Sequence, residues 1–134
     1  MARAEGQGWA AASLDDLGDG PGFRKIRKEL GVTAFGINAI VLPAGVWTSR
    51  HYHERQEETY FVHRGTLEFE FGEGDGERLR LEEGGVVRVD ASTVRRIGNV
   101  GEGDAIYVIA GGADGYVGRD GLMPEGETRG VTTR

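Results

Sequence analysis

His51 and His53 stand two residues apart. Alternate side chains of an extended strand share a face, so both imidazoles would look the same way. Two neutral imidazole nitrogens converging from one strand suit a transition metal such as zinc, iron, copper or nickel. Trp47 and Ser49 have the same parity and would share that face on an unbroken strand. Glu58 has the opposite parity, but the polar run Glu54-Arg55-Gln56-Glu57 reads as a turn that resets the register. A carboxylate opening the next strand can reach the same cavity. Tyr60 and Val62 would share its face, and His63 would point away to solvent. A bare His-x-His pair fits a solvated edge strand as well as a ligand pair. The acid that follows and the flanking glycines favour the ligand reading.

The elements around these residues read as short strands. Val32 to Leu42 is a nearly continuous β-rich run ended by Pro43-Ala44-Gly45, as a buried strand would be. Candidate strands then follow at 46–52, 59–62, 67–71, 79–81, 86–89, 94–99 and 105–110. In one of them Leu67, Phe69 and Phe71 alternate with Glu68 and Glu70, which predicts one buried and one solvated face. Phe23, Ile26 and Leu30 fall at helical spacing with Gly31 as a stop, which predicts a short helix; a strand is the alternative. Residues 1–20 carry little periodicity and read as a loose arm, and the stretch after Gly111 shows no clear element. Glycine makes up 24 of the 134 residues, dispersed between the apolar segments. Many tight turns need that, because glycine takes positive φ without steric cost. Short strands with frequent turns predict an all-β sandwich or closed barrel, one domain in all.

Charge and composition narrow the function. The formal net charge of −6 repels phosphate backbones, so nucleic acid is not an expected partner. No stretch is apolar enough for a membrane span, and the N-terminus lacks the layout of a signal peptide. The chain has no cysteine, which fits a reducing compartment. It is read as cytoplasmic.

The segment GVWTSRHYHERQEETYFVHRG, from Gly45 to Gly65, closely resembles the first signature motif of the cupin superfamily. That motif is Gly, five residues, His-x-His, three or four residues, Glu, six residues, Gly. With four residues after His53 the acid is Glu58, and the count to Gly65 fits; Glu57 misses it by one and is taken as an exposed neighbour. The second cupin motif is matched only by spacing, from Gly84 to Asn99. Asp90 stands at its proline position, Ser92 at its glycine and Arg95 at the family's third histidine ligand. The resemblance implies a single double-stranded β-helix, or jelly-roll, barrel over residues 21–118, with a short N-terminal extension at 1–20 and a tail at 119–134. It also implies a divalent metal (iron, zinc, nickel or manganese) on His51, His53 and Glu58, and pairing as a homodimer.

Arg95 divides that implication. Arginine keeps its proton, so it cannot be a ligand. In one reading the two histidines and Glu58 hold the ion alone, and Arg95 clamps an anionic small molecule at a barrel mouth lined also by Trp47 and Tyr60. In the other there is no metal, and Arg95 is the partner that a buried Glu58 requires. Three function classes follow. One is a metal-dependent enzyme of the dioxygenase, isomerase, decarboxylase or lyase kind found in the family. The second is a non-catalytic binder of a small anionic metabolite, and the third is a structural role.

Overall fold

A computed structural model of the chain describes residues 2–74, 76–128 and 131–133. Its strands are β1 (Ala4–Gly6), β2 (Trp9–Ala11), β3 (Gly22–Arg24), β4 (Gly36–Leu42), β5 (Val46–Thr48), β6 (Tyr52–His53), β7 (Glu57–Arg64), β8 (Leu67–Phe71), β9 (Arg78–Leu81), β10 (Val86–Val89), β11 (Arg95–Asn99), β12 (Ala105–Gly112), β13 (Gly121–Leu122) and β14 (Val131–Thr133). One helix, α1 (Ile26–Leu30), precedes β4. Among the described residues all pairings are antiparallel.

Two five-stranded sheets face each other, ordered β10-β7-β12-β4-β3 and β14-β5-β11-β8-β9. This is an all-β barrel, as the strand pattern predicts, and a jelly roll, as the resemblance implies. Leu42, Tyr60, Val62, Val89, Ala105 and Tyr107 come from the first sheet, Leu67, Phe69 and Ile97 from the second, and together they fill the space between. The alternation that the sequence displays is what builds this. In β7, Glu58, Tyr60 and Val62 are buried while Glu57, Phe61 and His63 are exposed, so an acid sits in the row that otherwise supplies core.

Four local readings change. The strand expected over 46–52 is broken into β5 and β6, and His51 lies between them in an isolated bridge to Arg95. The run from Val32 enters its strand only at Gly36, because residues 32–35 make the connection from the helix. The helix forms over Ile26–Leu30, while Phe23 belongs to β3, and Gly31 closes the helix in the left-handed conformation, at φ 73°. In the N-terminal arm β1 and β2 make a small hairpin, with a 3₁₀ turn at Leu14–Leu17 behind it. In the tail, β13 pairs with β6 and β14 with β5. Short paired segments of two or three residues leave no periodicity to read. Residues 129, 130 and 134 of the tail lie outside the described residues.

Among the described residues no helix is long and apolar enough to cross a membrane.

Candidate metal and anion site

Arg95 opens β11, and its backbone exchanges two hydrogen bonds with His51, each 2.9 Å long. Directly opposed residues of an antiparallel pair share a face. The backbone therefore sets His51 and Arg95 side by side, facing inward with Ile97. His53 follows, its N–H bonded to the Ala91 carbonyl at 2.7 Å. Glu58 and Tyr60 approach from β7 in the other sheet. The site thus bridges the two layers at one end of the core.

The ligand atoms of His51, His53 and Glu58 lie within 4.8 Å of one another. Glu58 Oε1 is the point of convergence. It accepts from Arg95 Nη2 at 2.6 Å and from the Tyr60 hydroxyl at 2.8 Å. It lies 3.1 Å from His53 Nε2 and 4.0 Å from His51 Nε2. Glu57 turns outward and accepts from Arg88.

Arg95 is 0% exposed, yet its donors are engaged. Nη2 reaches Glu58, Nε the Tyr60 hydroxyl at 3.2 Å, and Nη1 the carbonyls of Asp90, Ala91 and Thr93 at 2.8–3.3 Å. The loop that departs from the second motif therefore supplies the carbonyls that cradle the arginine.

An acid that the strand pattern did not single out completes the arrangement. Asp120, just before β13, takes His53 Nδ1 at 2.7 Å and the Gln56 side chain at 2.6 Å on one oxygen. On the other it takes the backbone N–H groups of Arg55 and Gln56, at 2.8 and 3.0 Å. Burial alone would raise its pKa. The Gln56 amide, the two backbone donors and His53 outweigh that and hold it well below the usual carboxylate range. An ionised Asp120 can only accept, so Nδ1 of His53 carries the proton. Nε2 of His53 is then the free nitrogen. It is buried and lies 3.1 Å from Glu58 Oε1. In the sequence Asp120 is a lone acid between Arg119 and Gly121, with nothing to tie it to His53.

The charges reinforce one another. Burial pushes the Glu58 carboxyl up, but the two imidazoles and the Arg95 charge prevail and hold it well below the usual range. Burial pushes His53 down, and Glu58 and Asp120 outweigh it, so its pKa rises above the ordinary imidazole value of 6.5. Burial, then the Glu58 charge, lift the Tyr60 hydroxyl well above the usual phenol value.

Trp47 does not face this cavity, although it has the parity of His51. Trp47 is paired with Gly98, while His51 is paired with Arg95. The register slips by one residue between them, and such a bulge exchanges the two faces. The indole lies on the outer face, so close to Gly98 that a Cβ there would come within 2.1 Å of the ring. The Arg96 guanidinium stacks on it with 4.6 Å to a ring centroid.

Comparison with known proteins agrees with this fold. The family model described as "Cupin domain" matches residues 39–111, more than half of the chain. No curated protein matches the sequence. A cupin protein from Bacteroides fragilis superposes with a TM-score of 0.64 at 20% identity, covering 84% of this chain and 90% of that one. The Schizosaccharomyces pombe Cnp3 cupin domain gives 0.55 at 17%, covering 60% of this chain. The DMSP lyase DddQ from Ruegeria pomeroyi gives 0.58 at 21%, covering 69%. The chain spans 57% of the second of these proteins and 45% of the third.

Proposed function

The chain belongs to the cupin domain family, and from that premise we propose that its barrel holds a divalent metal on His51, His53 and Glu58 and binds a small anion beside it. The observation that carries this is His53. Asp120 holds its Nδ1 proton, and the remaining nitrogen lone pair is buried at 3.1 Å from a carboxylate oxygen. Two lone pairs so placed repel unless a proton or a metal ion joins them, and above the titration of His53 the metal is the partner that can. A carboxylate behind a histidine is also the arrangement that orients metal-bound imidazoles in general.

Two imidazoles and one carboxylate are a donor set for iron(II) with open positions, and zinc, nickel and manganese accept the same atoms. A divalent metal there supplies Lewis acidity and positive charge. The ion and Arg95 together exceed the charges of Glu58 and Asp120, and the surplus favours an anionic ligand. Arg95 contributes its charge rather than a free hydrogen-bonding edge. Tyr60 holds the shared oxygen of Glu58, and His51, the more exposed imidazole, marks the open side.

A second reading has its own observation. Arg95 Nη2 stands 2.6 Å from Glu58 with both groups buried, so the guanidinium can serve as a permanent counter-ion in a metal-free binding or structural module. Elemental analysis of untagged protein, followed by calorimetric titration of zinc, nickel, manganese and iron(II), separates the two. The metal reading expects stoichiometric binding by the wild type. It also expects about tenfold or tighter binding by Arg95→His, which restores an imidazole, and no such gain in Arg95→Ala. A wild type that binds none of the four while Arg95→His does would establish the second reading.

A further inference from the structure

We infer that Asp120, carried by the C-terminal tail outside the matched family region, is a positioning residue that fixes His53 in the tautomer whose Nε2 lone pair faces Glu58. This rests on the metal reading above, and it makes the tail part of the site.

The tail is fastened along the segment that carries both histidines. β14 pairs with β5 just before them. The Ser49 hydroxyl donates to the Thr128 carbonyl at 2.9 Å, and the Arg50 N–H to Glu127 at 2.6 Å. β13 pairs with β6, which contains His53, and the Glu54 N–H reaches the Asp120 carbonyl at 3.2 Å. Asp120 sits at the end of this series and closes the turn 54–56 around itself. Its two oxygens are divided: one serves the turn backbone, the other His53 and Gln56.

That division gives a substitution with a specific consequence. In Asp120→Asn the amide oxygen can keep both backbone N–H groups of the turn. The amide nitrogen, a donor only, would then face His53 Nδ1. To accept from it the imidazole must move its proton to Nε2, and that proton occupies the lone pair a metal needs. Gln56→Ala removes the other side-chain partner of Asp120 and leaves the His53 contact in place.

Nitrogen-15 NMR of the histidine rings, recorded on metal-free protein above the titration of His53, reads the tautomer directly. Wild type and Gln56→Ala are expected to show protonated Nδ1 at His53, and Asp120→Asn protonated Nε2. Calorimetry with zinc is expected to show roughly 10- to 100-fold weaker binding for Asp120→Asn, and a change under about threefold for Gln56→Ala. A wild-type His53 protonated on Nε2 overturns the inference even if Asp120→Asn fails to fold. So does an Asp120→Asn protein that keeps the wild-type tautomer and zinc affinity. A wild type that shows the expected tautomers but binds no metal overturns the metal reading instead, and leaves Asp120 as the residue that orients His53.

Discussion

Arg95 and Arg96 are neighbours on β11, both buried, and each ends on a buried glutamate from another strand. Arg95 points between the sheets to Glu58, and Arg96 points to the outer face and Glu70, with Nε at 2.8 Å. Their surroundings differ in kind. Glu70 is shared with Arg50 and Arg78, each at 3.3 Å, and Arg96 lies on the Trp47 ring. The outer contacts bring three guanidiniums to one carboxylate and include no imidazole. The inner pair instead meets two imidazoles and a second carboxylate at Asp120. Both are buried ion pairs, so burial of charge does not by itself mark a functional site. What distinguishes the inner one is an imidazole nitrogen, an atom able to offer a lone pair, set 3.1 Å from the carboxylate.

The largest expected effect comes from breaking the inner pair. Glu58→Ala leaves a fully buried guanidinium without its anion, and unfolding in urea should show a loss of about 3–5 kcal/mol. Glu70→Ala should cost less, about 1–3 kcal/mol. Arg96 keeps the indole face, and Arg78, whose side chain is 55% exposed, turns to water. Tyr60→Phe belongs in the same range, since it removes a partner from both Glu58 and Arg95. Equal losses for Glu58→Ala and Glu70→Ala would remove the distinction drawn between the two faces.

A smaller effect follows from pH. The folded pKa of His53 lies above 6.5, so the stability linked to its protonation is complete below about 6.5 and is lost as pH rises through the folded value. Zinc affinity should move the other way, rising with pH, because the proton and the metal compete for Nε2. Glu58 acts in the acid range. Its pKa is depressed from 4.5, so its contribution is present above that value and declines as pH falls toward the folded one. Urea midpoints measured across this range in wild type and His53→Gln should differ in slope near neutrality. Glu70→Ala should reproduce the wild-type slope, since the outer contacts include no histidine.

The inner region was the legible one, and the reason is physical. Strand period and glycine punctuation are strong local signals and point to the β-barrel, while the convergence of His51, His53 and Glu58 was read from shared parity together with the motif resemblance, whose count to Gly65 selects Glu58. Trp47 was misdirected by the same rule, because parity assumes an unbroken ladder and a one-residue bulge reverses it. Glu70 reads as solvated from the alternation of β8 but is buried, since Arg96, Arg50 and Arg78 close over it. Asp120 lay beyond reach because its partner is 67 positions away, and a two-residue strand holds it there without a period.

The smallest expected effect probes the inner cluster from below. Tyr107 packs beside Tyr60 with ring centroids 6.2 Å apart. Burial, then the Glu58 charge, lift its hydroxyl above the usual phenol value. Yet where the Tyr60 hydroxyl is bonded to both Glu58 and Arg95, the Tyr107 hydroxyl is buried without a partner among the described residues. A phenol that keeps its proton contributes no charge to the pair, and an unsatisfied hydroxyl in the interior is a cost to the fold. Tyr107→Phe removes that hydroxyl and keeps the ring that fills the space between the sheets. Urea unfolding should therefore show a change within about 1 kcal/mol, on the stabilising side if any, with zinc affinity unchanged. A loss as large as that of Tyr60→Phe would mean that the inner cluster extends down to Tyr107, and that the polar site is deeper than the Glu58–Arg95 pair.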